Sequence, residues 1–257
     1  MYIKQTKDDW LMKLGLQNDY KVDGFLAYGT YNRDKHLQFF KDSLDKLGKN
    51  YTLTNLEDPF FSKVTVLNIE GKNYWFDIAY GGAFLSELIH VASMLGSKKN
   101  ILLGTCGGLK SGAKSGDMIV PEYSYGDESS TRMYARKVLD NRHYSDRILN
   151  EKIISLIDKE FKYYTDPIIT CQAMLGETEE DVRQWSKEGY AGVEMESATV
   201  FAVSKYFNVP SCAILYITDN LIEGEIVDSD SHKASREYRE KVRIHKYDIA
   251  IKVLLEK

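Results

Sequence analysis

The chain has 257 residues, of which 43% are hydrophobic and 28% are charged, and its formal net charge is −4. This length lies within the range of single α/β domains. Charges of both signs are spread along the chain, which argues against binding to nucleic acid or an anionic membrane through bulk electrostatics. Cys106, Cys171 and Cys212 form no CxxC pair, so neither a disulfide framework nor a structural zinc site is expected.

The N-terminus has no apolar segment typical of a secretory signal, and no apolar run approaches the ~20 residues needed to cross a bilayer. We therefore expect a cytoplasmic protein with no membrane or nucleic-acid partner. No linker or repeat divides the sequence, which predicts one domain over residues 1–257. Residues 1–20 are predicted to form an N-terminal helical arm.

Short apolar runs that end in glycine or polar residues alternate with stretches of helical spacing. The strands read as continuous apolar runs, which indicates an α/β fold with a largely parallel or mixed buried sheet. The predicted order is strand 25–27, helix 37–47, a hairpin of KVTVLNIE and NYWFDIAY, a helix in GGAFLSELIHVASMLG, strand 101–103, a strand in DMIVPEYSY, a helix in NEKIISLIDKEF, a strand in PIITCQAM, a helix in EEDVRQWSKEG, a strand through Val193, helix 196–207, a strand in VPSCAILYITDN and helix 231–256.

Four of these strands end in polar or glycine-rich tips. In open α/β sheets, ligands bind outside the carboxyl ends of the strands. Four tips at the same end of neighbouring strands would therefore form one site, with Glu194 and Glu196 at its edge rather than in the core. The tips are Gly29-Thr30, Gly104-Thr105, Glu194-Met195-Glu196 and Thr218-Asp219-Asn220.

Each tip carries residue types that suit a ligand, and each also has an ordinary structural reading. The glycine-rich stretch 104–108 offers backbone N–H groups to an anion or a flat base, and Arg33 suits an anion or a helix surface. The Glu196 carboxylate matches a sugar diol, or the start of a helix. Met195 offers an apolar face to a sugar or base, or fills the core. Asp219 is the candidate general acid, or a turn aspartate.

The segment GYAGVEMESATVFAVSKYFNVPSCAILYITDN resembles the signature of the nucleoside phosphorylase family, in its trimeric and hexameric purine and uridine branch, which is related to nucleosidases. GTYNR and NILLGTCGGLKSGAKSGDMIVPE extend the resemblance, which covers roughly residues 22–255. It implies a single α/β domain with a central mixed, partly barrel-like β-sheet flanked by helices.

The resemblance also implies a role for each tip. No metal or organic cofactor is implied; phosphate is the co-substrate and a purine nucleoside the substrate. Homo-oligomers are usual in the family, so a dimer, a trimer or a hexamer of dimers is expected. The implied residues are Gly29, Arg33 and Thr105 for phosphate, Met195 and Glu196 for ribose, Cys106, Gly107, Met174, Glu194 and Asp219 for the base, and Asp219 as the acid that protonates the leaving purine.

The chain departs from the family pattern in its arginines. Leu102 occupies the strand position where purine phosphorylases carry an arginine. The resemblance also implies a phosphate-contacting arginine from a neighbouring subunit within residues 50–62, and this segment contains none. Arg132 is a candidate replacement. The loop GETEEDV lacks the Gln and Arg that read uracil, which favours a purine. The expected activity is therefore purine nucleoside phosphorolysis, with a purine nucleosidase using water, an inactive nucleoside-binding sensor and a uridine phosphorylase-like enzyme as alternatives.

Overall fold

The structure, a computed structural model, describes residues 4–58, 61, 63–225 and 227–256. Its centre is one mixed sheet of 13 strands. The strands are β1 (Gly24–Gly29), β2 (Tyr51–Leu56), β3 (Val64–Ile69), β4 (Lys72–Ala79), β5 (Asn100–Leu103), β6 (Cys106–Gly108), β7 (Met118–Ile119), β8 (Tyr123–Tyr125), β9 (Arg142–Tyr144), β10 (Tyr163–Tyr164), β11 (Ile168–Thr170), β12 (Gly192–Glu194) and β13 (Ser211–Asn220).

Helices cover both faces of this sheet. Within the described part of the chain, none of them is both long and apolar enough to cross a bilayer. The helices are α1 (Lys7–Lys13), α2 (Arg33–Asp45), α3 (Gly82–Met94), α4 (Ser129–Tyr134), α5 (Arg147–Ser155), α6 (Glu179–Lys187), α7 (Ser197–Tyr206), α8 (Asp230–Ala234) and α9 (Arg236–Leu255).

The main path through the sheet follows the order β2-β3-β4-β1-β5-β13-β6-β12-β11-β8-β9. The strands β4, β1, β5 and β13 run parallel, whereas β2, β3 and β4 form an antiparallel meander. The ten-residue β13 is the common element, because it pairs with β5 at its beginning and with β6 at its end. The expected mixed α/β fold is confirmed, with an open path from β2 to β9.

The sheet is buried on both faces, which explains the continuous apolar strands. Neighbouring residues of β5 show this directly, because Leu102 packs in the cluster beneath α3 and α7 while Leu103 packs in the cluster beneath α2 and α9. Successive side chains of a strand point to opposite faces. Both side chains have an exposed fraction of 0%.

The secondary structure differs from the sequence prediction in several places. The polar strand β2 was not predicted, because Tyr51–Leu56 is an edge strand with no buried residue. DMIVPEYSY divides into β7 and β8 on either side of Pro121, which has no N–H to donate. The C-terminal helix is interrupted at Ser235, which separates α8 from α9.

The N-terminal helical arm is shorter and more integrated than expected. The helix α1 spans only Lys7–Lys13, and the Thr6 side chain and Asp9 form a capping box at its start. Trp10 and Leu11 are buried in the core beneath α3 and α7. Residues 1–3 of the expected arm lie outside the described residues.

Asn100 joins β5 to the helices α3 and α7 through a buried polar network. Its Nδ2 donates to Ser93 Oγ at 3.1 Å and to Ser204 Oγ at 2.9 Å. Its Oδ1 accepts from Ser97 Oγ at 2.8 Å. The side chain has an exposed fraction of 0%, so water does not replace these bonds.

The substitution Asn100→Ala should lower the free energy of unfolding by about 2–3 kcal/mol, because it leaves buried hydroxyl groups without partners. Urea unfolding followed by circular dichroism measures this loss. The control is Asn68→Ala, which removes a half-buried bond to Asn73 of 2.9 Å and should cost less than about 1 kcal/mol. Equal losses in the two variants would contradict the structural role of Asn100.

Candidate functional site

Three of the predicted tips belong to parallel neighbouring strands, β1, β5 and β13. Gly29 and Thr105 follow the ends of β1 and β5 at a similar level, and Asp219 lies further along β13, where it pairs with Gly107. The expectation is wrong for the fourth tip. The strand β12 runs antiparallel to β6, which itself runs parallel to β13. Cys106–Gly108, expected to be only a glycine-rich turn, forms this intervening strand.

Glu196 nevertheless connects the fourth tip to the others. It occupies the N-cap position of α7, and its Oε1 accepts from the Gly81 N–H at 2.6 Å. Its Oε2 lies so close to Gly29 that a Cβ at that position would overlap it. Gly81 has a φ of 84°, a conformation that side chains rarely adopt. Three chain segments, at Gly29, Gly81 and Glu196, therefore meet at one carboxyl group.

Glu194 holds the start of α7 in place. Its Oε2 accepts from the backbone N–H groups of Glu196 at 2.9 Å and Ser197 at 2.8 Å. Its Oε1 accepts from Thr170 Oγ1 at 2.5 Å. The helix is thus capped by the side chain two residues before Glu196. The contact of Glu194 with a base stays a prediction, since both of its oxygens already have protein donors.

Both carboxyl groups are buried, with exposed residue fractions of 4% for Glu194 and 5% for Glu196, so the expectation that they avoid the core is wrong. Burial, together with the neighbouring Glu194, raises the pKa of Glu196 to about 8. Burial also raises the pKa of Glu194, against the hydrogen bonds from Thr170 and the two N–H groups. The donors to Glu194 favour its charged form, whereas a pKa of about 8 keeps Glu196 protonated at neutral pH.

Asp219 lies in a row with residues of two neighbouring strands. The sheet register pairs Asp219 with Gly107, and Gly107 with Val193. Strands are spaced about 4.8 Å apart, so the row sets Asp219 about 10 Å from Val193. Asp219 is partly buried, and burial raises its pKa although the Thr218 hydroxyl, which donates to it at 2.5 Å, opposes the shift. These properties suit a proton donor.

The predicted anion-binding turn has free donors. Thr105 is partly exposed, and neither its N–H nor its hydroxyl has an acceptor among the described residues. The neighbouring Cys106 is different, because its side chain is buried in the core with an exposed fraction of 3%. Burial, and then Glu194 and Asp219, raise the pKa of its thiol, which stays neutral. The contact of Cys106 with a base stays a prediction, since its carbonyl accepts from the Thr218 hydroxyl at 3.2 Å.

The other predicted contacts with sugar and base remain accessible. Met195 is partly exposed although the residues on either side of it are buried. Met174 has an exposed fraction of 53% and begins the 3₁₀ turn Met174–Gly176. Gly107 is partly exposed, with Leu221 close to its Cα. Their roles in the site stay predictions.

Arg33 is held by a residue that the sequence analysis missed. It forms an ion pair with Asp77 and donates to Thr65 Oγ1 at 2.9 Å. Asp77 has an exposed fraction of 2%, and burial raises its pKa to about 6 while Arg33 opposes the shift. The sequence contained a signal for this pair, because Asp77 lies inside the apolar strand NYWFDIAY and buried carboxylates are normally paired with a cation. Phosphate binding by Arg33 stays a prediction.

Two further features lie apart from the tips. Arg132, the candidate replacement for a phosphate arginine, is 61% exposed at its side chain and pairs with Asp127 at 2.8 Å.

A cleft of about 1160 Å³ lies between residues 133–146 and 201–211. None of the residues predicted for phosphate, ribose or base lines this cleft.

The high pKa of Glu196 predicts a pH-dependent stability. Between pH 4.5 and pH 8 the folded protein retains a proton on Glu196 that the unfolded chain releases, so this contribution to stability is lost as the pH rises. Glu196→Gln, which keeps an acceptor for Gly81, should therefore be more stable than the wild type by about 1–3 kcal/mol at alkaline pH, with the difference vanishing in acid.

Thermal unfolding of both proteins at pH 5 and pH 8.5 measures this difference, and about 1 kcal/mol corresponds to a shift of roughly 2–4 °C in Tm. The control is Glu179→Gln, whose side chain is 89% exposed. It should show no such dependence. An equal effect of Glu196→Gln at the two pH values would contradict the protonated state of Glu196.

Comparisons with known proteins agree with this geometry. The purine nucleoside phosphorylase DeoD-type of Clostridium beijerinckii is 26% identical over 152 residues, which cover 58% of this chain and 62% of the relative. A guanosine phosphorylase of Halorubrum lacusprofundi is 28% identical over 139 residues, which cover 54% of this chain and 57% of that protein. The matched segment thus spans about three fifths of these relatives.

Solved structures share the fold at lower identity. Uridine phosphorylase from Vibrio fischeri superposes with a TM-score of 0.71 at 18% identity, over 98% of this chain and 100% of that one. Purine nucleoside phosphorylase from Toxoplasma gondii gives a TM-score of 0.69 at 13% identity, over 93% and 95% of the two chains. The profile of the Phosphorylase superfamily matches residues 82–245, more than half of the sequence. The chain belongs to the phosphorylase superfamily.

Proposed function

We propose that this protein is a nucleoside phosphorylase that cleaves a purine nucleoside with phosphate, giving the free base and ribose 1-phosphate. The observation that carries the proposal is the row Asp219–Gly107–Val193, which leads from a partly buried acid across the partly exposed Gly107 to the Glu194–Glu196 segment. Its span of about 10 Å is the scale of a nucleoside lying across three strands.

The residues of this row suit the chemistry of glycosidic cleavage. The C1′–N9 bond breaks with its electron pair leaving on the purine, and N7 takes the proton of Asp219. A phosphate oxygen forms the new bond to C1′. The sugar passes through a state resembling an oxocarbenium ion, which negative charge on the Glu194–Glu196 pair stabilises. Protonated Glu196 can also exchange hydrogen bonds with the ribose hydroxyls.

The phosphate nucleophile requires donors at the same edge. The free N–H and hydroxyl of Thr105 are available for it, and Gly29, which packs against the Glu196 carboxyl, is the second proposed contact. Arg33 would contribute if phosphate shared it with Asp77. Metal and organic cofactors have no place in this mechanism, and phosphate is the co-substrate.

The choice of a purine rests on two observations. The raised pKa of Asp219 supports a role as an acid, and only a purine offers N7 for protonation. The loop that begins with Gly176 and Glu177 lacks the Gln and Arg expected for uracil. The two relatives named above are a purine nucleoside phosphorylase and a guanosine phosphorylase, which supports the same choice. We also propose a homo-oligomer.

The first test is a panel of inosine, adenosine, guanosine and uridine, each assayed with and without inorganic phosphate. We expect base release from the purine nucleosides only when phosphate is present, with ribose 1-phosphate as the second product. Free ribose formed without phosphate would instead identify a nucleosidase. Binding without turnover would identify a nucleoside sensor, and preferential cleavage of uridine would overturn the choice of a purine.

The second test concerns the acid. Asp219→Asn should lower kcat for inosine by about 10²-fold or more, because it removes the proton that the leaving base needs. The variant should retain most of its activity on 7-methylinosine, whose base is already cationic. Asp248→Asn, which alters a surface ion pair with Lys46, is the matched control. Equal losses on both substrates would remove Asp219 from the acid role.

A further inference from the structure

We propose that Lys246 is a positioning residue for phosphate: through the carbonyl of Gly104 it orients and polarises the peptide whose N–H, on Thr105, receives the anion. This inference rests on the proposed function, since it assigns the source of positive charge for the nucleophile site. Leu102 does not supply that charge, and Arg33 is already paired with Asp77.

Lys246 lies directly beneath the strand tips. It extends from α9, and its Nζ donates a hydrogen bond to the carbonyl oxygen of Gly104. Its Nζ also lies 4.4 Å from the ring centroid of Tyr28 and 4.5 Å from that of Tyr216. Tyr28 immediately precedes Gly29, and Tyr216 lies three residues before Asp219. A single ammonium group therefore contacts the β1 and β13 strands and the turn after β5.

This ammonium group is buried without a counterion. Lys246 has an exposed fraction of 0%, and it forms no ion pair with the carboxylates of the described residues. Burial, and then the nearby Arg243, hold the pKa of Lys246 well below its usual range, so an anion bound nearby would favour its charged form. A buried cation without an anion is costly, and two aromatic faces with one carbonyl offset that cost only in part. An anion bound across the adjacent peptide would offset more of it.

The geometry of one peptide links Lys246 to the site. The described chain has no cis peptide bonds, so the C=O of Gly104 and the N–H of Thr105 point in opposite directions. Because the carbonyl points to Lys246, the N–H points away from it. The Thr105 N–H has no acceptor among the described residues. The Nζ of Lys246 thus lies at the carbonyl end of the peptide dipole whose N–H would face phosphate.

The test compares wild type with Lys246→Met, which keeps the length of an unbranched side chain and removes the charge. We expect the KM for phosphate to rise about tenfold or more, while the KM for inosine stays within about twofold. The rise in Tm produced by inorganic phosphate alone should shrink in parallel. A purely structural role would change both KM values together, and that result would overturn the proposal.

Arg243→Met is the matched control, because it removes a cation from the same helix face that contacts Tyr216 and does not contact Gly104. It should leave the KM for phosphate within about twofold of wild type. Lys246→Gln is the second variant, with a donor for Gly104 and no charge. It serves if the Met variant does not fold, and it should also weaken phosphate binding. A wild-type KM for phosphate in either folded Lys246 variant overturns the proposal.

Failure of this inference is distinguishable from failure of the proposed function. If the wild type releases bases without phosphate, the proposed function fails. The stabilisation by inorganic phosphate, measured without nucleoside, then decides the role of Lys246 separately. A phosphate-induced rise in Tm that is present in the wild type and in Arg243→Met and absent in Lys246→Met supports it, and equal rises or no rise in all three overturn it.

Discussion

The site depends on the way Glu194 caps helix α7. Its three hydrogen bonds, from Thr170 and from the backbone of Glu196 and Ser197, fix the direction in which the chain leaves β12. That direction places the Glu196 carboxyl against Gly29 and Gly81 and leaves Met195 as the accessible residue between two buried neighbours. These donors also favour the charged form of Glu194, against the effect of burial.

The elements of the fold were largely predictable, because apolar runs and helical spacing report burial on the two faces of a sheet. The strand of KVTVLNIE, the helix α7 and the long strand β13 follow directly from such patterns. The pattern does not indicate the direction in which each strand runs or the order of the strands in the sheet. It therefore missed that β6 lies between β13 and β12, and that β12 arrives antiparallel to it. The strand β6 has only three residues, two of them glycines, and so shows no side-chain pattern that predicts a strand.

The sequence identified candidate residues at the ends of strands, and it did not show their hydrogen-bond partners. The tips that hold Glu196, Asp219 and Thr105 were identified because polar residues follow apolar strands. The sequence did not show which hydrogen-bond or ion-pair partner each polar group has in the folded protein. Asp77 captures Arg33 across 44 positions of sequence, and Gly81 donates to Glu196 across 115. Such pairings depend on tertiary contacts that no local spacing encodes.

The two faces of β5 explain how Leu102, where the family resemblance implies an arginine, relates to the last helix, α9. Leu102 and Leu103 alternate across the sheet, so a cation at position 102 would come from the face beneath α3 and α7. With leucine at position 102, it is the Nζ of Lys246 that reaches the same tip, and it does so from the opposite face of the sheet. The helix α9 carries Arg239, Arg243 and Lys246 at intervals of four and three residues, which aligns them along one face.

Burial along this face increases toward the turn. Arg239 and Arg243 are partly buried, whereas Lys246 is completely enclosed. In the sequence REYREKVRIHKYD these residues look like charges of a solvated helix, because acidic and basic residues alternate around them. The structure instead places Arg243 on Tyr216 of β13 and Lys246 on the carbonyl of Gly104, while Arg239 donates to Ser235 and to the carbonyl of His232. Lys246 thus approaches the end of β5 from the face opposite to Leu102.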